Sequence, residues 1–484
     1  MHARATWPLT LAPAAILLAA LAAQIAADPA SGVTFSNSPF TDEGWNVMGA
    51  RNWVLLGDWS AGNWVLHLVQ LPFTVLEAIV FRIFGVGIVQ ARLLPIACSV
   101  ASVGLAGVLV QRRFGWPAGV LAAAALGSTS LVLYYGRLAF LEDLVMLALV
   151  AGAALLCRRE PRHPTLEAVA VGVLLALAIG TKPLALFPAV GILAGAAVAG
   201  RRSGVLRRSL VAGGVIGAAG LGWLLLVALP NRDAVQAAMQ IWTPQQLPPD
   251  LETLIYRVTT FPQTDSMLFM SLPLAIGGLL GLVAVVTGWR RLDTAQRVLA
   301  GAAIGWLVVG VALLMVASYR PGRYALPILP ALAILTGYLV PAARRLAPVL
   351  PRAASAVLLA AALAGVVLPG AVMAWGWASA ATFDGPRLQE RFAAAVQPAE
   401  PIEGGLAGFL AMRVPAPIYV RWSTTDLNTG DLYADAGVRW VVATGAYRPP
   451  WADIHPDVWD GRQELFCVSW GKGTHCLERL PGEQ

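Results

Sequence analysis

Residues 36–51 read SNSPFTDEGWNVMGAR and follow the first apolar segment of the chain. Asp42 and Glu43 are adjacent acids at a point where membrane would meet water. Pro39 ends any preceding helix, and the later apolar positions recur at helical spacing, which predicts an amphipathic helix beginning near Thr41. Acids in such a first turn either complement the helix dipole or belong to a catalytic site. The rest of the chain has to decide between these interpretations.

The composition is that of a polytopic membrane protein. Of 484 residues, 57% are hydrophobic and only 13% are charged, which is too apolar for one soluble core. The formal net charge of +7 is therefore no sign of nucleic-acid binding, and we expect no nucleic-acid partner. The basic residues cluster between apolar segments, which indicates membrane orientation instead.

About eleven apolar segments approach the length that a bilayer requires. They lie near residues 7–27, 88–111, 115–133, 137–157, 165–180, 183–200, 207–230, 267–289, 297–318, 325–343 and 352–376. If the N-terminus is cytoplasmic, every arginine cluster between them falls on the cytoplasmic face, as the positive-inside rule requires. The clusters are Arg112-Arg113, Arg158-Arg159 with Arg162, Arg201-Arg202 with Arg207-Arg208, Arg290-Arg291 with Arg297, and Arg344-Arg345 with Arg352. We therefore expect a multi-pass protein of the cytoplasmic membrane.

This topology predicts two modules. Residues 1–376 form the transmembrane module, with outer loops at 28–87 and 231–266. Residues 377–484 form a small extracytoplasmic domain, which strand-like runs predict to be α/β or mainly β. The loop at 231–266 is long and proline-rich, and it either closes over a substrate or merely connects two spans.

Cys467 and Cys476 flank a predicted β-hairpin. Residues 471–472 are Gly-Lys, which suits a two-residue type II′ turn with glycine first. Counting outward from the turn brings Cys467 opposite Cys476, with Cα atoms about 4.5 Å apart and within disulfide range. A disulfide belongs to an oxidising compartment, so the hairpin independently places this domain outside the cytoplasm.

Four cations lie on the outer face, against the positive-inside trend. They are Arg137, Lys182, Arg320 and Arg323, each at an outer helix end. A cation at bilayer depth costs roughly 2.5 to 3.5 kcal/mol, so some interaction has to offset that cost. Each residue alone is explained by snorkelling to lipid headgroups, whereas together with the acids of the same face they indicate a pocket of mixed charge. Such a pocket suits an anionic headgroup on a lipid.

Glu142 follows Arg137 by five residues, which predicts a position about a turn and a half inside the fourth span. An acid at that depth is either a functional group or one partner of a buried ion pair, and both alternatives remain open. Asp143 points about 100 degrees away and takes a different role.

The order and spacing of several short motifs resemble the GT-C glycosyltransferases, in particular family 39, which includes protein O-mannosyltransferases and the bacterial aminoarabinose transferases of lipid A. The motifs are Asp42-Glu43, the run from Gly44 to Asp58, Phe84-Gly-Val-Gly with Ala91-Arg92-Leu93, Arg137 with Glu142, Gly180-Thr-Lys-Pro183, and Arg323-Tyr-Ala-Leu-Pro-Ile-Leu-Pro330. The resemblance implies an α-helical membrane protein of GT-C type with about eleven transmembrane helices.

The resemblance also implies an activity, namely transfer of a sugar from a polyprenyl-phosphate donor to an acceptor hydroxyl at the outer membrane face, with inversion. The implied catalytic pair is Asp42, as base, with Glu43. The implied ligands of the donor phosphate are Arg137, Lys182, Arg320 and Arg323, and Glu142 and Tyr324 contact substrate. Cations alone neutralise a monophosphate, so no metal or other cofactor is expected. The expected partners are the lipid-linked donor, a glycan, lipid or protein acceptor, and membrane lipids.

One region departs from the aminoarabinose transferases. Their Lys-Pro-Pro run before the second span is replaced here by residues 63–72, NWVLHLVQLP, which contain no lysine. Lipid A modification is therefore not carried over, and His67 is either a substitute donor or an interfacial histidine packed with tryptophans. A transporter or flippase of lipid-linked saccharides is the alternative function, although neither internal repeats nor midplane charges are found. A scaffold protein would leave the four outer cations unexplained.

Overall fold

The computed structural model describes residues 7–29, 42–201, 204–242, 250–260, 271–317, 321–346, 352–420, 431–445, 448–470 and 473–481. Within these ranges the chain is helical as far as Ser379, and one five-stranded sheet follows. The predicted phosphate ligand Arg320, the predicted cap Thr41 and the predicted turn at residues 471–472 lie outside the described residues.

The helices are numbered in chain order. The first of them are α1 (Trp7–Ala23), α2 (Asp42–Asn46), α3 (Met48–Leu56), α4 (Leu71–Phe84), α5 (Ile88–Ala91), α6 (Leu93–Phe114), α7 (Trp116–Gly127), α8 (Ser130–Tyr135), α9 (Glu142–Leu156), α10 (Pro164–Thr181), α11 (Leu186–Ala199) and α12 (Val205–Trp223). They continue as α13 (Arg232–Trp242), α14 (Leu251–Thr260), α15 (Leu272–Gly288), α16 (Thr294–Val316), α17 (Leu329–Gly337), α18 (Leu339–Leu346), α19 (Arg352–Ser379), α20 (Asp384–Ala395), α21 (Ala407–Leu410), α22 (Leu432–Ala436) and α23 (Pro456–Asp460). Two 3₁₀ segments, Pro183–Ala185 and Gly322–Ile328, border the candidate site described below.

The helices indicate a multi-pass membrane protein. Among the described residues, seven helical stretches are long and apolar enough to cross a membrane, namely Ile88–Phe114, Pro164–Thr181, Val205–Ala228, Leu272–Arg291, Thr294–Val316, Gly322–Arg345 and Ala360–Ser379. Shorter apolar helices lie at Pro8–Ala23, Trp116–Gly127 and Pro183–Ala199. These positions match apolar segments of the sequence, and the number of eleven spans stays a prediction.

Two glycine pairs let α11 and α16 cross in backbone contact. A Cβ on Gly195 would lie 2.0 Å from the carbonyl oxygen of Gly301, and one on Gly305 would lie 2.1 Å from that of Gly191. The two glycines of each helix are four residues apart and so share one face, as in small-residue crossings of membrane helices. The crossing holds the start of α11 beside the end of α16.

The turn between α8 and α9 corrects the predicted fourth span. The sequence predicted a helix from residue 137, with Glu142 a turn and a half inside it, whereas α9 begins at Glu142 itself. Residues 138–141 are buried, at 4% exposure or less, which explains why they are as apolar as a membrane span. Their backbone nevertheless forms a turn. Both Glu142 and Asp143 therefore lie in the first turn of α9.

The C-terminal part of the chain forms a small domain around a mixed sheet, as predicted. Its strands are β1 (Ile402–Glu403), β2 (Ile418–Tyr419), β3 (Trp440–Thr444), β4 (Gln463–Trp470) and β5 (Gly473–Arg479). Their order is β2-β1-β3-β5-β4. Strand β1 is parallel to β2 and β3, and β5 is antiparallel to β3 and β4. The boundary of this domain at residue 377 stays a prediction.

The hairpin of β4 and β5 has the predicted register. Cys467 is opposite Cys476, Ser469 is opposite Thr474, and the two cysteines form a disulfide with Cα atoms 4.0 Å apart. The predicted disulfide is confirmed. Cys98 and Cys157, which the sequence predicted to be buried, are free and buried.

Helix α2 lies directly on α21 of the C-terminal domain. A Cβ on Gly44 would lie 2.4 Å from the carbonyl carbon of Gly408, so this close approach requires glycine. Trp45 donates its indole N–H to the carbonyl of Gly405 at 3.2 Å. The domain is thus in contact with the residues that follow Asp42.

Arg51 ties the next helix, α3, to the same domain. Its guanidinium is buried, with 1% exposure, and donates to the carbonyls of Met412, Val414 and Ala416. A buried cation is tolerated only when its N–H groups are bonded, and here backbone carbonyls supply the acceptors. Helices α2 and α3 and the C-terminal domain therefore share one core.

We expect Arg51→Ala to loosen this contact, because it leaves three buried carbonyls without their donor. Unsatisfied buried groups cost about 1 to 3 kcal/mol each, so the domain should lose at least about 3 kcal/mol of stability. Thermal unfolding and limited proteolysis of the purified protein measure the loss. Arg82→Ala, at an exposed position of α4, is the control. Equal melting temperatures for the two variants would contradict this role for Arg51.

Candidate active site

Asp42 is the first residue of α2 and forms an ion pair with Arg323. The Oδ2 of Asp42 lies 2.8 Å from Nη2 of Arg323, and the Asp42 side chain is 22% exposed. The Nε of the same guanidinium lies 3.5 Å from Oε1 of Glu142. Arg323 thus bridges two carboxylates that come from separate parts of the chain.

Lys182 completes the group. Its Nζ pairs with Oε1 of Glu142 and lies 3.7 Å from the ring centroid of Tyr324. Glu142 is 1% exposed, and its Oε2 has no hydrogen-bond partner within the part of the chain that the structure describes. One oxygen of a buried carboxylate therefore serves both cations, while the other is left for a further donor.

Helix ends place these four charges together. Asp42 begins α2 and Glu142 begins α9, while Lys182 follows α10 and Arg323 lies in the 3₁₀ segment after α16. Pro183 stops α10 because proline cannot continue a helix, so the lysine leaves the helix in an extended conformation. Two acids and two cations leave the group with no formal net charge, which lowers the cost of burying it.

An apolar cleft opens at Glu142 and Lys182. Its walls come from the starts of α9 and α11, the end of α16 and the 3₁₀ segment 322–328. Apart from Glu142, Lys182 and Tyr324, the side chains that line it are apolar, and they include Leu184, Pro188, Leu313, Leu314 and Ile328. The cleft has a volume of about 30 Å³, and its charged side chains, Glu142 and Lys182, adjoin an apolar lining.

The protein around Asp42 changes its acidity. Desolvation raises the pKa of Asp42 above its ordinary value of 3.8, although Arg323 opposes the shift. A carboxylate with a raised pKa holds a proton better than a free aspartate does, which favours a role as general base.

Glu43 points away from Asp42 and holds the helix in place. Its Oε1 accepts from Nε of Arg92 at 2.8 Å and from the backbone N–H of Ala139 at 2.9 Å, and its Oε2 accepts from Nη2 of Arg92 at 2.7 Å. Both partners are buried, with 1% exposure or none. The sequence grouped Glu43 with the catalytic acids, whereas its observed contacts are those of an anchor.

Arg137 is also separated from the charged group. Its guanidinium donates to the carbonyls of Gln24, Ala27 and Asp28, which follow α1. The sequence predicted that Arg137 binds the donor phosphate. In the structure these backbone carbonyls accept its hydrogen bonds. The described contacts of Arg137 are therefore those of a clamp on the end of α1.

The remaining predicted residues are distributed as follows. Asp143 accepts from the Ser99 hydroxyl, a contact different from those of Glu142, and its separate role stays a prediction. His67 is buried against Gly49, with Nε2 3.4 Å from the Ser60 hydroxyl.

Sequence reasoning gave no role to two residues of this region. Arg92, the partner of Glu43, lies just before α6, and the sequence analysis noted it only within the motif Ala91-Arg92-Leu93. Phe140, whose ring centroid is 5.2 Å from the Arg323 guanidinium carbon, carried no signal because it looks like any apolar span residue.

Groups of metal-ligand side chains are scarce near the site. Within the described ranges, the one group of three such side chains that lie close together is Glu464, Cys467 and Cys476. Both of its cysteines are in the disulfide, so they offer no thiolates.

Comparison with known proteins places this geometry in context. The family model described as dolichyl-phosphate-mannose-protein mannosyltransferase matches residues 73–227. No curated protein matches the chain by sequence. The crystal structure of ArnT from Cupriavidus metallidurans bound to undecaprenyl phosphate is similar at 17% identity and a TM-score of 0.63, covering 97% of each chain. The chain has the fold of the GT-C glycosyltransferases.

Two further structures extend the likeness. The archaeal oligosaccharyltransferase AglB from Archaeoglobus fulgidus, in complex with an inhibitory peptide and a dolichol-phosphate, is similar at 10% identity and a TM-score of 0.57. That match covers 91% of this chain and 70% of AglB. The arabinofuranosyltransferase AftD from Mycobacteria is similar at 16% identity and a TM-score of 0.53, over 98% of this chain and 40% of AftD. At these identities the likeness concerns the GT-C fold.

The anchoring contacts of Glu43 generate a prediction. Glu43→Gln should destabilise the protein by about 3 to 5 kcal/mol, because it leaves the charge of Arg92 buried and unpaired. Thermal unfolding in detergent measures this, and Glu390→Gln, which removes a pair whose acid is 66% exposed, is the control. A Glu43→Gln protein that keeps its melting temperature but loses activity would contradict the anchoring role.

Proposed function

We propose that this chain transfers a sugar from a polyprenyl-phosphate donor to an acceptor hydroxyl at the outer face of the cytoplasmic membrane. The observation that carries the proposal is the position of Lys182 in the lining of an apolar cleft, beside Arg323, with which it shares the partner Glu142. Arg323 in turn is in contact with Asp42. A polyprenyl phosphate likewise combines one charged group, the phosphate, with a long apolar chain. The GT-C fold and the match to a mannosyltransferase family support the same reaction class.

The cleft suits the donor by charge and by polarity. The prenyl chain packs against the apolar wall formed by residues such as Leu184 and Leu313, while Lys182 and Arg323 bind the phosphate. Without donor, Asp42 and Glu142 neutralise the two cations. An incoming phosphate competes with these carboxylates, and its binding to Arg323 releases Asp42 from its ion pair.

The released Asp42 acts as the general base. It takes the proton of the acceptor hydroxyl while the acceptor oxygen forms a bond to the anomeric carbon. The bond from that carbon to the phosphate oxygen breaks, and its electron pair leaves on the polyprenyl phosphate. Lys182 and Arg323 stabilise the charge that grows on the phosphate. Attack from the side opposite the phosphate inverts the anomeric carbon.

Glu142 and Tyr324 complete the proposed donor site. The free Oε2 of Glu142 accepts a hydroxyl of the donor sugar, since it is buried at the mouth of the cleft. Tyr324 holds the Lys182 ammonium against its ring and thereby orients it toward the phosphate. Two cations suffice for a monophosphate leaving group, so we propose that the reaction needs no metal.

We expect Asp42→Asn to reduce sugar transfer by about 100-fold to 10,000-fold, because the amide cannot accept the proton. The raised pKa of Asp42 adds a pH dependence. The kcat/KM of the native enzyme should fall with decreasing pH through a pKa above 3.8, as Asp42 becomes protonated and ceases to act as a base. The measurement is release of polyprenyl phosphate from a labelled donor by purified protein in lipid, in the presence of EDTA.

The matched control for this substitution is Asp58→Asn, at an exposed position of the same outer loop. It should retain the native rate and the native pH profile. Native turnover by Asp42→Asn would rule out Asp42 as the base. A requirement for added divalent metal would contradict the metal-free reaction.

Measurements of donor affinity distinguish Lys182, a proposed phosphate ligand, from Arg137, which binds backbone carbonyls. Lys182→Met should weaken polyprenyl-phosphate binding by about 10-fold to 100-fold, the cost of one hydrogen bond to a charged group. Arg137→Met should leave donor affinity unchanged and lower thermal stability, because Arg137 binds backbone carbonyls. Equilibrium binding of labelled lipid to the folded protein tests both variants. Equal losses of donor affinity in the two variants would indicate that Arg137 also binds the phosphate.

A further inference from the structure

A second polar region lies at the opposite ends of the helices that carry the site. Helix α9 leads from Glu142 to Leu156, and α10 returns from Pro164 to Thr181, directly before Lys182. The connection at residues 157–163 is therefore separated from Lys182 by the 18 residues of α10, or about 27 Å. The starts of α12 and α16 lie beside it.

Two adjoining cavities occupy this region. Their volumes are about 240 Å³ and about 200 Å³, far more than the roughly 30 Å³ of one water molecule. Arg158 and Arg159 line the first, Arg207 lines the second, and Arg208 and Pro161 line both. Four guanidinium groups thus surround a space large enough for a phosphate group.

Arg208 is the central residue of the two cavities. It is 7% exposed, and its Nη1 is buried without a hydrogen-bond partner within the residues that the structure describes. An unsatisfied charged donor is costly, and an anion in the adjoining space would supply the acceptor. This feature distinguishes Arg208 from the exposed arginines of the same face.

Two acids near the cavities have partners of their own, although Oε2 of Glu167 is buried without one among the described residues. Asp293 lines the first cavity and caps α16 by accepting from the backbone N–H of Gln296. Glu167 accepts from Arg158 and from the backbone N–H of Arg162. Four arginines against these two acids leave an excess of positive charge around the space.

Exposed apolar side chains flank the cavities. Leu166 on α10 is 66% exposed, and Leu206 and Leu210 on α12 are 44% and 68% exposed. Leu206 and Leu210 lie within one turn of Arg207 and Arg208 on α12, and Leu166 lies in the first turn of α10, next to Thr165, which lines the second cavity. A ligand with acyl chains would pack on these leucines while its headgroup entered the cavities, which favours a lipid over a soluble anion.

We propose that Arg158, Arg159, Arg207 and Arg208 bind the phosphodiester headgroup of an anionic phospholipid on the membrane face opposite Asp42. Basic pockets between membrane helices are suited to such headgroups. This site is separate from the donor cleft and does not depend on sugar transfer. In the predicted topology it faces the cytoplasmic leaflet.

Delipidated protein in detergent, titrated with phosphatidylglycerol or phosphatidylcholine and analysed by native mass spectrometry, tests the proposal. Phosphatidylglycerol should bind more tightly than phosphatidylcholine. Arg208→Gln should weaken phosphatidylglycerol binding about tenfold or more, since it removes a hydrogen bond from a charged group. Arg162→Gln, an exposed change in the same connection, should bind as the native protein does.

Several outcomes would overturn the proposal. Equal binding of both lipids, or native phosphatidylglycerol affinity in a folded Arg208→Gln protein, would remove the site. Displacement of phosphatidylglycerol by inorganic phosphate at millimolar concentration would show that the cavities take a soluble phosphate instead. If Arg208→Gln does not fold, the exposed double variant Arg159→Gln/Arg207→Gln takes its place, and it should lose affinity in the same way.

Discussion

The ion pair between Glu43 and Arg92 is the contact on which the candidate site depends. It joins α2 to the start of α6, and the N–H of Ala139 adds the turn before α9. Burying such a pair stabilises a fold only when geometry is good and further hydrogen bonds satisfy it, and both conditions hold here. Arg92 and Arg137 also donate to one carbonyl, that of Ala27, so the end of α1 is held as well. The direction of the neighbouring Asp42 side chain is consequently fixed.

The group of four charges formed by Asp42, Glu142, Lys182 and Arg323 has the balance that the proposed phosphate site requires. Cations alone at the end of an apolar cleft would be expensive before a substrate arrives. The acids act as internal counter-ions, and they come from helix ends that are rigidly packed. In the proposed reaction, phosphate takes the place of a carboxylate beside Arg323 with little reorganisation, which is the advantage of a preorganised site.

The fold was largely predictable because composition and period-two patterning act over many residues. The hairpin register followed from a glycine-first turn, and Lys182 and Arg323 stood out as cations on the unexpected face. The partners of Arg51 and Arg137 were not predictable, since backbone carbonyls leave no mark in a sequence. The same holds for the turn before Glu142, whose residues are as apolar as a span. The cavity around Arg208 was hidden because the positive-inside rule already explained its charge.

The contact between α2 and the C-terminal domain can form only late in synthesis. Trp45 and its acceptor Gly405 are 360 residues apart in the chain. Synthesis proceeds at roughly 5 to 20 residues per second, so Gly405 is added about 20 to 70 seconds after Trp45. During that interval α2 lacks the surface of the C-terminal domain on which it will pack. The site beside Asp42 is therefore completed late in synthesis, when nearly all the spans are already in the membrane.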